Sequence, residues 1–103
     1  MKVGRETIMT EEIIRLYYRF YGTVQGVGFR WHALNVARQL PITGRIKNLS
    51  DGSVEAEVQG QPQDIQKWFT KLYEDRFSKI RNVEVTEIQL VENETQFKVD
   101  TRW

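Results

Sequence analysis

Gly22-Thr23-Val24-Gln25-Gly26-Val27-Gly28-Phe29-Arg30 is the stretch on which the reading of this chain turns. Before it, Leu16, Tyr18 and Phe20 alternate with Tyr17, Arg19 and Tyr21, the period of a half-buried strand running from Ile13 to Thr23. After it, Ala33, Val36, Ala37 and Leu40 share one face of a helix read over Trp31 to Leu40, with Pro41 and Gly44 as punctuation. Two glycines spaced by one residue let backbone N–H groups turn inward around an anion with no Cβ in the way. The arginine beside them can grip two oxygens of that anion at once, and a helix N-terminus favours negative charge. These residues predict a phosphate cradle; a Gly-x-Gly alone would only turn the chain. A dinucleotide fingerprint needs a third glycine where Trp31 stands, and no Gly-Lys-Ser/Thr triplet closes a P-loop.

Outward from the loop, Thr43 to Leu49 reads as a short strand and Ser50-Asp51-Gly52 as a tight turn. From Ser53 to Gln59, Val54, Ala56 and Val58 face one way and Glu55, Glu57 and Gln59 the other, which puts the two acids on a solvated face. Pro62 opens a second helix in which Ile65, Trp68, Phe69, Leu72 and Tyr73 recur at helical spacing, a core pattern rather than a ligand site. Arg81 to Val91 is a strand whose phase slip between Val85 and Ile88 predicts a bulge near Thr86. Gln96 to Thr101 is the last strand, and residues 1–12 form a polar tail before a single domain over 13–103. The order β-α-β-β-α-β-β is that of a split β-α-β sandwich, an antiparallel sheet with two helices on one face. In the usual strand arrangement, 4-1-3-2, the first and second strands run the same way. Arg30, just past the first, and Asn48, at the end of the second, then converge.

Composition sets bounds. The chain has 103 residues, enough for one compact domain, and a 40% hydrophobic fraction supplies a core. Fifteen basic residues against fourteen acidic leave a net charge of +1, which calls for neither nucleic acid nor an anionic membrane. No apolar run is long enough to span a bilayer. There are no cysteines, so thiolate metal sites and cysteine nucleophiles are excluded. His32, the one histidine, reads as a first-turn surface residue and cannot build a zinc site alone. The expectation is a cytoplasmic monomer with no metal and no cofactor.

The run Val24 to Arg30, followed by Lys47-Asn48-Leu49-Ser50-Asp51-Gly52-Ser53-Val54-Glu55, resembles the paired signature of the acylphosphatase family, with the element order matching over residues 14–102. The resemblance implies a ferredoxin-like fold with a fifth strand beside the second. It implies hydrolysis of an acyl phosphate to a carboxylate and inorganic phosphate. Arg30 would bind the phosphoryl group and Asn48 would position the attacking water. The main-chain N–H groups of Gln25, Gly26, Val27, Gly28, Phe29 and Arg30 would complete the cradle. The chain departs from the pattern at Arg45, where an aromatic is usual, at Leu40-Pro41, at Asp75 to Lys79, and in its longer N-terminal segment. Two alternatives compete: a non-catalytic anion-binding module on the same scaffold, and an RNA-recognition domain of similar element order. The second needs aromatic residues on the third strand, where Ser53 to Gln59 has none and two acids instead.

Overall fold

The computed structural model describes residues 12–101. Nearly all of the expected polar tail, residues 1–11, lies outside the described residues. Five strands and two helices follow in the expected order: β1 (Ile14–Thr23), α1 (Phe29–Ala37), β2 (Thr43–Asn48), β3 (Val54–Gly60), α2 (Pro62–Tyr73), β4 (Lys79–Ile88) and β5 (Phe97–Asp100). The sheet order is β4-β1-β3-β2-β5. Four strands pair antiparallel, but β5 lies parallel to β2, from Gly44 opposite Phe97 to Lys47 opposite Asp100, so the sheet is mixed. The connection after β4 crosses the sheet at the end where β2 begins, which leaves β5 to run in the same direction.

The helices cover one face, α1 against β2 and β5 and α2 against β3. Leu16, Tyr18 and Phe20 of β1 point to them, as do Val54, Ala56 and Val58 of β3 and Ile46 of β2. Trp68 of α2 sits at the centre of this layer. It is fully buried, donates Nε1–H to the Ala33 carbonyl of α1 at 3.1 Å, and meets the rings of Tyr18, Phe20 and Phe97 at 5.5, 6.2 and 5.9 Å. One side chain thereby ties both helices to two strands.

The first helix and the fourth strand differ from the sequence reading in their boundaries. The first helix starts at Phe29 and stops at Ala37 rather than spanning Trp31 to Leu40. Gly28, in the left-handed region at φ 78°, lets the chain enter the helix early. After Ala37 the bonds Gln39 N–H to Val36 O and Leu40 N–H to Ala37 O tighten the last turn, and Pro41 has no N–H to extend it. The fourth strand runs over 79–88 instead of 81–91, and its irregularity falls at Arg81, not near Thr86. Tyr21 pairs with Asn82 and Gly22 with Ile80, so Arg81 is the extra residue. A Cβ on Gly22 would meet the Lys79 carbonyl oxygen at 2.1 Å, so only glycine fits opposite the bulge. Ile88 changes face without a slip, lying opposite Arg15 on the side away from the helices.

That open face carries a charge network, which corrects the expected solvation of Glu55 and Glu57. Arg15 is 2% exposed and bonds Glu57 (2.8 Å), Gln59 (3.0 Å) and Glu94 (2.8 Å). Arg45 bridges Glu55 at 2.8 Å and Glu57 at 2.9 Å. Burial works to raise the Glu57 pKa, but the hydrogen bonds from Arg15 and Arg45 outweigh it and hold it below the usual range. At the β2–β3 turn, Asp51 accepts hydrogen bonds from the Ser53 hydroxyl and N–H and from Arg19 at 2.6 Å. Those bonds, Ser53 first, bring the Asp51 carboxyl down to about 2.

Replacing Trp68 by alanine leaves a large cavity and removes the Nε1–H bond to the Ala33 carbonyl, and should lower unfolding stability by about 3–5 kcal/mol. Urea denaturation checks this, and a loss below about 1 kcal/mol would contradict the central place given to Trp68. Asp51 has a folded pKa below its unfolded value near 3.8. Its contribution is therefore present above about pH 4 and is lost as pH falls toward about 2. Asp51→Asn should flatten the dependence of urea stability on pH across that window relative to the parent chain. Identical slopes would show that the turn does not hold the carboxylate.

Candidate active site

The chain leaves β1 at Thr23 and enters α1 at Phe29. Between them Val24 is buried as an anchor, while Gly26 and Gly28 both take left-handed backbone, φ 77° and 78°. Alternation of such residues with ordinary ones turns consecutive N–H groups toward a common concavity. Gly28 caps α1 without a side chain, and the first turn of the helix contains no acid. The unpaired N–H groups and the positive end of the helix dipole thus remain available to an anion.

Side chains fasten the loop at both ends. Gln25 donates Nε2–H to the Leu49 carbonyl at 2.7 Å and to the Ser53 carbonyl at 2.8 Å. The Ser53 carbonyl also accepts Leu49 N–H at 2.8 Å, so the loop is pinned onto the closed β2–β3 turn. At the other end, Arg30 donates Nη1–H to the Asp100 carbonyl at 2.9 Å. This anchors one edge of a planar guanidinium that has five donors in all. Asp100 lies opposite Lys47 in the parallel β2–β5 pair, next to Asn48.

Asn48, the last residue of β2, therefore stands between the two fastenings. It is 8% exposed, and its Oδ1 is buried with no hydrogen-bond partner among the described residues. An unmatched buried acceptor is destabilising by about 1–3 kcal/mol and calls for a reason. It stands between the residues to which the glycine loop is fastened, where a bound water would satisfy the acceptor.

Other residues fall elsewhere. His32 Nε2 lies 3.4 Å from the Lys71 carbonyl oxygen, at the α1–α2 seam. Arg45, which departs from the family pattern, belongs to the open face with Glu55 and Glu57. Among the described residues no three acidic or histidine side chains gather where a metal ion could sit. A cleft of about 370 Å³ runs between the end of α1 and β5, away from the loop, lined by Ala37, Leu40, Ile42 and Phe97. Sequence reading assigned Gln25 only a main-chain role. Its side-chain clamp depends on two carbonyls that no local pattern reveals.

The acylphosphatase family model matches residues 16–99. An acylphosphatase of Koribacter versatilis is 37% identical over 101 residues, covering 97% of this chain and 92% of that protein. The crystal structure of acylphosphatase from Bacillus subtilis superposes with a TM-score of 0.78 at 29% identity, over 86% of this chain and 99% of the other. The structure of an acylphosphatase from Coxiella burnetii gives 0.76 at 34% identity, over 85% and 93%. With the five-stranded fold and the paired motifs, these likenesses have one meaning: the chain belongs to the acylphosphatase family.

Proposed function

We propose that this chain hydrolyses the carboxyl–phosphate bond of acyl phosphates with Arg30 binding the phosphoryl group and Asn48 positioning the water. The observation that carries the residue roles is the buried, unmatched Oδ1 of Asn48 between the two fastenings of the glycine loop. The N–H groups of Gln25 to Arg30 and the guanidinium would share the phosphoryl oxygens and offset the charge that spreads over them in the transition state. Asn48 Oδ1 accepts a hydrogen bond from water, and its amide can donate to a phosphoryl oxygen.

The chemistry then needs little else. The water oxygen bonds to phosphorus, and the bond from phosphorus to the acyl oxygen breaks. The acyl oxygen leaves with the bonding pair as a carboxylate. Its conjugate acid has a pKa of about 4, so no general acid is required at neutral pH. Asn48 cannot take the water's proton as a base, and that proton passes to the phosphoryl oxygens or to solvent. An unactivated phosphate monoester would be a far harder substrate, since its uncatalysed hydrolysis is among the slowest known. We infer also that residues 13–103 act as one domain, as a monomer in the cytoplasm without a nucleic-acid or membrane partner. The near-balanced charge favours that reading.

The two roles separate experimentally. Arg30→Ala should lose both acyl-phosphate hydrolysis and binding of inorganic phosphate. Asn48→Ala should lower kcat by about 100-fold or more, the scale of a misplaced reactant, while phosphate still binds and protects against unfolding. Benzoyl phosphate turnover without added metal, with phosphate binding by calorimetry, checks both. Near-parental turnover by Asn48→Ala would end the water-positioning role.

A further inference from the structure

Three aromatic side chains stand in solvent at the end of the molecule that carries the site. Trp31 is 52% exposed, Tyr73 62% and Phe77 70%. Trp31 follows Arg30 in the first turn of α1, and Tyr73 closes α2. The approach of His32 to the Lys71 carbonyl brings those two helix ends together. Phe77 lies in the connection leading into β4, whose first residue, Lys79, pairs with Thr23 at the start of the glycine loop. Aromatic surface therefore reaches the rim on both sides, Phe77 near the loop's beginning and Trp31 at its end. Tyr73 also continues a ring stack outward from the core: it lies 6.0 Å from Phe69, which lies 5.6 Å from Tyr18.

Asn48 belongs to β2, so water held by it in the role given above would meet phosphorus from the side of the sheet. Displacement at phosphorus runs roughly in line, which sends the carboxylate out on the solvent side, toward the rim. We propose that Trp31, Tyr73 and Phe77 receive the acyl half of the substrate, and that the chain favours acyl phosphates whose acyl group is planar and apolar. This rests on the roles given above to Arg30 and Asn48. A flat ring stacks on or meets the edge of an exposed indole or phenyl group and removes apolar surface from water. A small acyl group cannot reach across the rim, and a charged one gains nothing from the rings.

The test compares kcat/KM for benzoyl, acetyl and succinyl phosphates in the parent chain, Trp31→Ala, Phe77→Ala, the double variant and Trp31→Phe. The parent should prefer benzoyl phosphate. Each alanine variant should lose about fivefold on that substrate, the size of one aromatic contact. Acetyl phosphate should stay within about twofold, and Trp31→Phe should retain most of the preference, because contact rather than folding is being changed. Thermal melts confirm that these exposed positions leave the fold intact. A benzoyl-to-acetyl ratio unmoved in the double variant, or a parent that prefers succinyl phosphate, overturns the rim while hydrolysis itself stands. A parent that hydrolyses none of the three overturns the functional reading instead.

Discussion

The β1–α1 loop is held at both ends by side chains that reach main-chain carbonyls on other elements, and the end of the molecule that carries the candidate site depends on that clamp. Gln25 fixes the start of the loop to the Leu49 and Ser53 carbonyls, and Arg30 fixes its end to the Asp100 carbonyl. A run with glycines at positions 26 and 28 has too much conformational freedom to stay concave without such ties. Preorganisation matters here because electrostatic stabilisation is effective only when the donors need not reorganise as charge develops. The clamp also decides where Asn48 stands, because each tie is made to a residue beside it or to its neighbour's strand partner.

The fold supplies the clamp's fixed points. β5 runs parallel to β2 and brings the Asp100 carbonyl alongside Lys47. The β2–β3 turn is closed by Leu49 and Ser53 and braced by Asp51 and Arg19. Beneath both, Trp68 joins α1 to α2 and to the strands. The open face is tied by ionic contacts instead. Arg15 holds Glu57 and Glu94, and Gln59 holds both the N–H and the carbonyl of Val91, so the connection from β4 to β5 is strapped across the sheet. That strap delivers β5 to the edge where Arg30 uses it. A residue at the far end of the sheet is in this way linked to the site through chain geometry.

Much of this was legible in the sequence because it is local or periodic. Strand alternation through Leu16, Tyr18 and Phe20 and the helical spacing of Ile65, Trp68 and Leu72 give the element order, and the two motifs point to Arg30 and Asn48. What stayed hidden depends on pairing between distant residues. The bulge sits at Arg81 because of Gly22, some sixty positions away, while the phase slip near Ile88 is only a change of face opposite Arg15. Glu55 and Glu57 look solvated from their alternation, and only the neighbouring strands show that Arg15 and Arg45 engage them. The parallel direction of β5 beside β2 and the side-chain role of Gln25 are likewise facts of tertiary register. The early start of the first helix followed from the backbone angle at Gly28, which a glycine permits but does not announce.

The central claim is that water held at Asn48 attacks phosphorus, not the acyl carbon. Hydrolysis in ¹⁸O-labelled water under single-turnover conditions tests this most directly, with both products analysed by mass spectrometry. The account predicts the label in inorganic phosphate and an unlabelled carboxylate. Label in the carboxylate would mean that the acyl carbon is attacked, and would contradict the roles assigned to Asn48 and the loop.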